Sequence, residues 1–166
     1  AGRFVRAGKA ADGALAQEAA LEAAGEKLAL GVQVRALSHL IAAESAQALQ
    51  NHTRRDEHLA LAMQTTAQVA STQAQEIREG TQLRAARWAL EDRDASAALE
   101  RLEELPQGAS RRTLALRLRL KAARQARRTR EALETARLLG KHRAFSAGAA
   151  KSIVRGLATE WVNSAH

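Results

Sequence analysis

One pattern of apolar, small and polar positions occurs twice in this chain, 34 residues apart. In each copy, apolar positions on a first helix are followed by a polar turn and then by Ala-Leu near the start of a second helix. The matched positions are Ala86 and Leu120, Asp94 and Arg128, Ala98 and Ala132, Leu99 and Leu133, Leu102 and Ala136, and Leu105 and Leu139. Small residues let two helices approach closely, so the pattern predicts a repeated helical hairpin.

A period of 34 residues is the length of a tetratricopeptide helix-turn-helix unit. Ala, Leu, Glu, Arg and Gln dominate the composition and all favour helix, whereas no alternating β-branched run indicates a strand. The sequence therefore predicts an all-α, tetratricopeptide-like α-solenoid of antiparallel helical hairpins. We expect about seven or eight helices in a single domain over residues 1–166, truncated at both ends.

Helix boundaries follow from the apolar spacing and from capping residues. The predicted helices cover residues 3–16, 30–50, 53–72, 76–92, 95–105, 111–126, 130–139 and 146–163, with a further short stretch at 18–24. We expect Asn51 or Thr53, Asp94, Ser110 and Thr129 to cap helices, and Gly140 to end one. The inner face of the helix at 30–50 is predicted to carry Leu37, Leu40, Ile41, Ala43 and Ala46.

The first full hairpin fits the template less regularly. Ala43 takes the place of Ala86 but lies 43 residues before it, and Arg55 stands where the template has alanine. At the two ends we expect residues 3–16 to pack against the helix at 30–50, and the last helix to cover the hairpin at 111–139. The packing residues are expected to be Phe4, Ala7, Ala11 and Leu15 at the first end and Ile153, Val154, Leu157 and Trp161 at the second. The apolar strip left over would favour self-association, because terminal repeats usually carry a polar cap.

The stretches GRFVRAGKAADGAL, HLIAAESAQAL and WALEDRDASAALERLEEL follow one another along the chain. Together they resemble the HemY family of bacterial membrane proteins associated with haem biosynthesis. The resemblance implies two N-terminal transmembrane helices, absent here, and then a tetratricopeptide array on the cytoplasmic side of the inner membrane. This chain would be the first part of that array, with a role in late tetrapyrrole synthesis. No catalytic residue of the family is carried over.

Positive charge is concentrated in one stretch of a chain whose net charge is +8. Residues 111–130 contain nine Lys or Arg and no acid, whereas residues 91–104 are rich in acids. The first helix of a tetratricopeptide unit lines the groove, and the register places Arg117, Lys121 and Arg124 there in one unit and Arg87 in the unit before. Spacings of four and three residues put Arg117, Lys121 and Arg124 on one helix face.

Three interpretations of these cations remain open. They form a solvated face whose arginines pair with the neighbouring acidic helix, or a groove for an acidic peptide or another carboxylate ligand, such as a porphyrin propionate. The third is attraction to polyanions: anionic lipid suits a membrane-anchored parent protein, whereas nucleic acid lacks interleaved aromatic residues. We take protein partners, including haem-biosynthesis enzymes, as the expectation.

Catalytic and metal-binding patterns are weak in this sequence. Cysteine is absent, which excludes disulfides and thiolate sites. Five histidines are candidate haem ligands, but none is paired at helical spacing with another ligand. They are His39, His52, His58, His142 and His166. We therefore predict no cofactor and a non-catalytic scaffold or adaptor, which the resemblance assigns to haem or porphyrin biosynthesis. The alternative is an enzyme or a direct porphyrin-binding protein of late tetrapyrrole metabolism.

Overall fold

The computed structural model describes residues 2–23, 31–67, 72–142 and 146–164. These residues form nine helices and no strand, which confirms the all-α prediction. The helices are α1 (Gly2–Ala23), α2 (Val32–Ala48), α3 (His52–Thr66), α4 (Thr72–Glu91), α5 (Ala95–Glu103), α6 (Gln107–Ser110), α7 (Thr113–Gln125), α8 (Thr129–Lys141) and α9 (Ala147–Ser164). None of these described helices is long and apolar enough to cross a membrane. The chain divides into two compact units, Ala1–Thr81 and Gln82–His166.

In the first unit, α1 packs on α2 and α2 packs on α3. The approach of α1 to α2 is close at Gly8, where a Cβ atom would lie 3.2 Å from the Cβ atom of Ser45. Ala11 is buried, while Phe4 is nearly half exposed. The prediction that the first helix packs on the helix at 30–50 is thus confirmed, although Phe4 contributes less to the buried face than expected.

The buried face of α2 differs from the predicted one at two positions. Leu40, like Ala43 and Ala46, is buried as expected, but Leu37 and Ile41 are nearly half exposed. Each of them follows a buried position by one residue, which is a rotation of about 100° around a helix. Leu37 and Ile41 therefore lie toward solvent, and their assignment to the inner face was wrong.

In the second unit, buried leucines and alanines join each helix to the next. Leu90 of α4 packs with Ala98 and Leu99 of α5 and with Ala122 of α7. A further cluster unites α7, α8 and α9, and Ile153 and Val154 pack against it. Its buried members are Leu116, Leu120, Ala123, Ala132, Leu133, Ala136, Leu139 and Leu157. The last helix covers the α7–α8 hairpin as predicted, but Trp161 is nearly half exposed.

Alanines occupy many of the most deeply buried positions of this unit. Five of them have no exposed surface, namely Ala86, Ala98, Ala122, Ala123 and Ala132. A methyl side chain at these positions leaves little distance between helix axes, so the leucines of the facing helix reach the neighbouring backbone. This explains how a core with only four aromatic residues in the whole chain can be closed.

The same turn joins the helices of three hairpins. Gln50, Arg93 and Arg127 occupy corresponding positions with φ of 57°, 63° and 57°. The residue that follows each of them donates its backbone N–H to a carbonyl five residues earlier. These bonds run from Asn51 to Ala46 at 2.9 Å, from Asp94 to Ala89 at 2.8 Å and from Arg128 to Ala123 at 2.8 Å. The last two turns are 34 residues apart and the first two 43, as the sequence pattern requires.

The first hairpin carries Arg55 at the position of the template alanine, and this side chain is buried. Its guanidinium Nη1 donates to Gln47 Oε1 at 2.9 Å, and its Nε donates to Asp56 Oδ1 at 2.7 Å. The His52 Nδ1 atom lies 3.1 Å from Arg55 Nη1. Local polar partners thus allow an arginine where the other hairpins have a methyl group.

Several predicted helix boundaries were wrong. The stretches 3–16 and 18–24 belong to one continuous helix, α1. The helix predicted to end at 72 ends at Thr66, and Thr72 already belongs to α4; residues 68–71 lie outside the described residues. Asn51, and not Thr53, caps α3 by accepting the Arg54 N–H at 3.1 Å.

Two further boundaries differ in the second unit, whereas the predicted cap at Asp94 is confirmed. Ser110 ends the single-turn helix α6, so that Arg112 precedes α7. Thr129 begins α8 with Arg128 as the capping position, and Gly140 lies within that helix, which runs on to Lys141. A glycine inside a helix lowers helix propensity by about 1 kcal/mol relative to alanine, and packing against α9 offsets this.

Candidate basic cleft

Helix α7 has two faces of opposite character. Leu116, Leu120 and Ala123 are buried in the cluster with α8 and α9. The predicted site residues Arg117, Lys121 and Arg124 are all exposed on the same helix. Apolar residues at helical spacing anchor α7, and this anchoring fixes the direction of the cationic face.

The cationic face of α7 borders a cleft of about 540 Å³, which we call the basic cleft. It is lined by Arg117, Leu120, Lys121, Arg124 and Gln125 of α7 and by Glu160 of α9. Three of the four predicted site residues thus meet in one cleft. Sequence reasoning missed Glu160, and the signal was present, because Glu160 is the only acid in α9.

The acids near α7 are engaged by other arginines. Glu131 of α8 lies 3.5 Å from Arg119 and 3.7 Å from Arg128, and Glu134 lies 3.2 Å from Arg130. In the part of the chain that the structure describes, neither Lys121 nor Arg124 makes an ion pair. The cleft therefore carries positive charge that these acids do not neutralise.

Arg87 does not line the basic cleft, although the register suggested that it shares a groove with the other three. It is exposed on α4, with Nε 3.7 Å from Glu91 Oε1. Its guanidinium carbon also lies 6.0 Å from the ring centre of Trp88. At Arg87, local pairing within its own helix, which was the simplest of the three interpretations, describes the structure.

Two of the five histidines contact each other in the first unit. The Nδ1 atoms of His39 on α2 and His58 on α3 lie 3.1 Å apart, so one ring donates and the other accepts. Burial lowers the pKa of His58; Asp12 and Glu57 oppose this shift, and Arg54 adds to it. Asp12 Oδ1 lies 3.9 Å from His58 Nε2 and also pairs with Arg54. Sequence reasoning missed this pair because the two residues are 19 positions apart on different helices.

His52 and His142 are exposed at helix ends, and His166 lies outside the described residues. Over residues 2–23, 31–67, 72–142 and 146–164, no group of three or more His, Asp or Glu side chains is placed to hold a metal ion. His39 and His58 use ring nitrogens on each other, which is the behaviour of a packed histidine pair.

The chain matches no protein-family model, no curated protein and no solved structure. Its functional interpretation therefore depends on the geometry described above.

Proposed function

We propose that this protein is a non-catalytic adaptor built from tetratricopeptide-like hairpins. Three observations support the proposal: the turn that repeats at Gln50, Arg93 and Arg127, the buried alanines between helices, and the 34-residue spacing of the last two hairpins. Arrays of this kind stack hairpins into extended binding surfaces. The stacking of all the hairpins into one solenoid is part of the proposal.

The basic cleft is the proposed site for an acidic segment of a protein partner. The observation that carries this proposal is the convergence of Arg117, Lys121 and Arg124 on one cleft. Arginine presents a planar fork that binds carboxylates through two parallel hydrogen bonds, and lysine adds a mobile positive charge. Leu120 supplies an apolar floor beside these cations. A short peptide rich in Glu or Asp, with one apolar side chain, would fit this arrangement.

The resemblance to the HemY family adds a setting to this proposal. In that setting the adaptor acts at the cytoplasmic side of the inner membrane and gathers enzymes of late tetrapyrrole synthesis. A porphyrin is the second candidate ligand, because its propionates are carboxylates. A volume of about 540 Å³ falls within the range of small-molecule sites, roughly 300–1,000 Å³.

Binding of a fluorescent Glu-rich peptide, measured by anisotropy, tests the site. We expect the triple variant Arg117→Gln, Lys121→Gln, Arg124→Gln to bind at least about tenfold more weakly, because charge-assisted bonds to three cations are lost. We expect Glu160→Gln to bind more tightly, because the carboxylate that repels the peptide is removed. Binding should weaken as salt rises, since exposed charges are screened over about 8 Å at physiological ionic strength.

The matched control is Arg93→Gln, Arg101→Gln, Arg111→Gln, which removes the same charge from exposed positions outside the cleft. Equal losses in the two triple variants would reduce the effect to net charge and refute the cleft. A porphyrin titration followed by absorbance separates the second candidate: saturable binding that Arg117→Gln and Arg124→Gln abolish, without peptide binding, would replace the peptide by the porphyrin.

A further inference from the structure

A second concave surface lies between α8 and α9, away from the residues of the basic cleft. It has a volume of about 630 Å³, and we call it the α8/α9 groove. Its lining residues are Ala136, Arg137, Gly140 and Lys141 of α8 and Ala150, Lys151, Val154, Arg155 and Ala158 of α9. Every uncharged residue in this set is Ala, Gly or Val, and every charged residue is a cation.

The apolar part of the groove is formed where the two helices come close together. A Cβ atom on Gly140 would lie 3.7 Å from the Cβ atom of Ala150, which is ordinary van der Waals contact. Val154 packs against the buried cluster beneath the groove. The groove thus has a shallow apolar surface that is held in place by the core of the second unit.

The cations of the groove form two pairs with the same spacing. Arg137 and Lys141 are four residues apart on α8, and Lys151 and Arg155 are four residues apart on α9. All four are exposed, and none makes an ion pair with a described residue. Residues four apart on a helix lie about 6 Å from one another, so each helix offers two positive charges one turn apart along the groove.

We propose that the α8/α9 groove docks an acidic amphipathic helix of a partner protein. Such a helix places an apolar stripe against Ala150, Val154 and Ala158, and its small contact residues suit the shallow surface. Acids spaced four apart on both sides of that stripe then meet the two cation pairs in register. The lining from Ala150 to Ala158 spans about 12 Å, or two helical turns.

The shape of the groove favours a helix over a membrane. A bilayer surface is flat and attracts cations on a convex face, whereas these four cations surround a concave apolar surface. The proposal does not depend on the basic cleft, because the two sites share no lining residue. Each can therefore be disabled without the other.

The test uses two synthetic 16-residue helical peptides with the same Ala- and Leu-containing stripe. One carries Glu at four-residue spacing beside the stripe, and the other carries Lys at these positions. Fluorescence anisotropy with the full chain should give saturable binding of the Glu peptide and at least about tenfold weaker binding of the Lys peptide.

Four variants locate the site. Replacing Arg137, Lys141, Lys151 and Arg155 with Gln should weaken binding of the Glu peptide at least about tenfold. Exchanging Arg and Lys among these positions keeps the charge and should keep the affinity within about threefold. Ala158→Trp fills the groove without changing charge and should also weaken binding. The basic-cleft variant Arg117→Gln, Lys121→Gln, Arg124→Gln should bind this peptide like the unmodified chain.

Circular dichroism and thermal unfolding establish that each variant is folded before binding is compared. If Ala158→Trp unfolds, the charge-removed and charge-exchanged pair decides the matter. Equal binding of the Glu and Lys peptides, or equal loss in the charge-exchanged variant, would overturn the proposal. So would binding to vesicles of phosphatidylserine and phosphatidylcholine through the same residues without peptide binding, or loss of a concentration-dependent dimer in these variants with no peptide binding.

Discussion

Replacing both Arg93 and Arg127 with glycine is expected to stabilise the protein, although glycine usually destabilises one. Both residues hold the left-handed backbone conformation, with φ of 63° and 57°. In this conformation the Cβ atom of an L-residue crowds the following carbonyl oxygen, whereas glycine has no Cβ atom. The turn chemistry thus predicts a gain in the free energy of unfolding at these two positions.

The magnitude follows from two opposing contributions. Relief of the left-handed conformation is worth about 1–2 kcal/mol per residue. The greater freedom of glycine in the unfolded chain costs about 0.5–1 kcal/mol. The difference is about 0.5 kcal/mol per site, hence about 1 kcal/mol for the double variant. For a chain of 166 residues this raises the midpoint of thermal unfolding by about 2–4 °C.

The assay is thermal unfolding followed by circular dichroism, with urea unfolding for the free energy. The control is Arg137→Gly, an exposed arginine in the middle of α8, which should lose about 1 kcal/mol because glycine disfavours the helix interior. The same replacement thus has opposite signs at the turn and in the helix. A double variant that is destabilised as much as the control would refute the assignment of a repeated left-handed turn.

Three further outcomes are expected. Leu139→Ala should lower the free energy of unfolding by about 2–5 kcal/mol, because Leu139 has no exposed surface and its removal leaves a cavity; Leu138→Ala, at a neighbouring exposed position, should change it by less than about 0.5 kcal/mol, and similar losses in both would contradict the described core. Burial lowers the pKa of His58 below its ordinary value of 6.5, so the unfolded chain binds more protons and the free energy of unfolding should fall as pH decreases from 6.5 through the folded-state pKa. Urea unfolding at several pH values should show a smaller fall in His58→Gln, and an equal fall would assign the effect to other groups. Gln50→Gly should also stabilise the first hairpin, because Gln50 has φ of 57°, and a lower unfolding midpoint would argue against this.

The helical hairpins could be predicted because their determinants are local. Apolar spacing and the polar turn fix where each helix reverses, and the turns at Arg93 and Arg127 fall at the expected interval. Boundaries that depend on packing could not be predicted. Gly140 would end an isolated helix, but it continues α8 because the surface of α9 lies against it.

The candidate site was predictable in the same limited sense. Spacing alone brings Arg117, Lys121 and Arg124 to one face of α7, and the structure shows them in one cleft. Glu160 enters that cleft through the packing of α9, which is a tertiary contact without a local signal. The contact between His39 and His58 likewise requires α2 and α3 to pair in one register. Side chains that meet across helices were the part that sequence reasoning missed.

The alanines without exposed surface determine how this molecule can change over generations. At Ala86, Ala98, Ala122 and Ala132, each added methyl group forces two helices apart, at a cost of about 1–3 kcal/mol. Exchange of a buried leucine for methionine keeps the volume and costs less than about 1.5 kcal/mol. Neutral drift in this core therefore runs through its large residues, and its smallest residues are the ones held fixed.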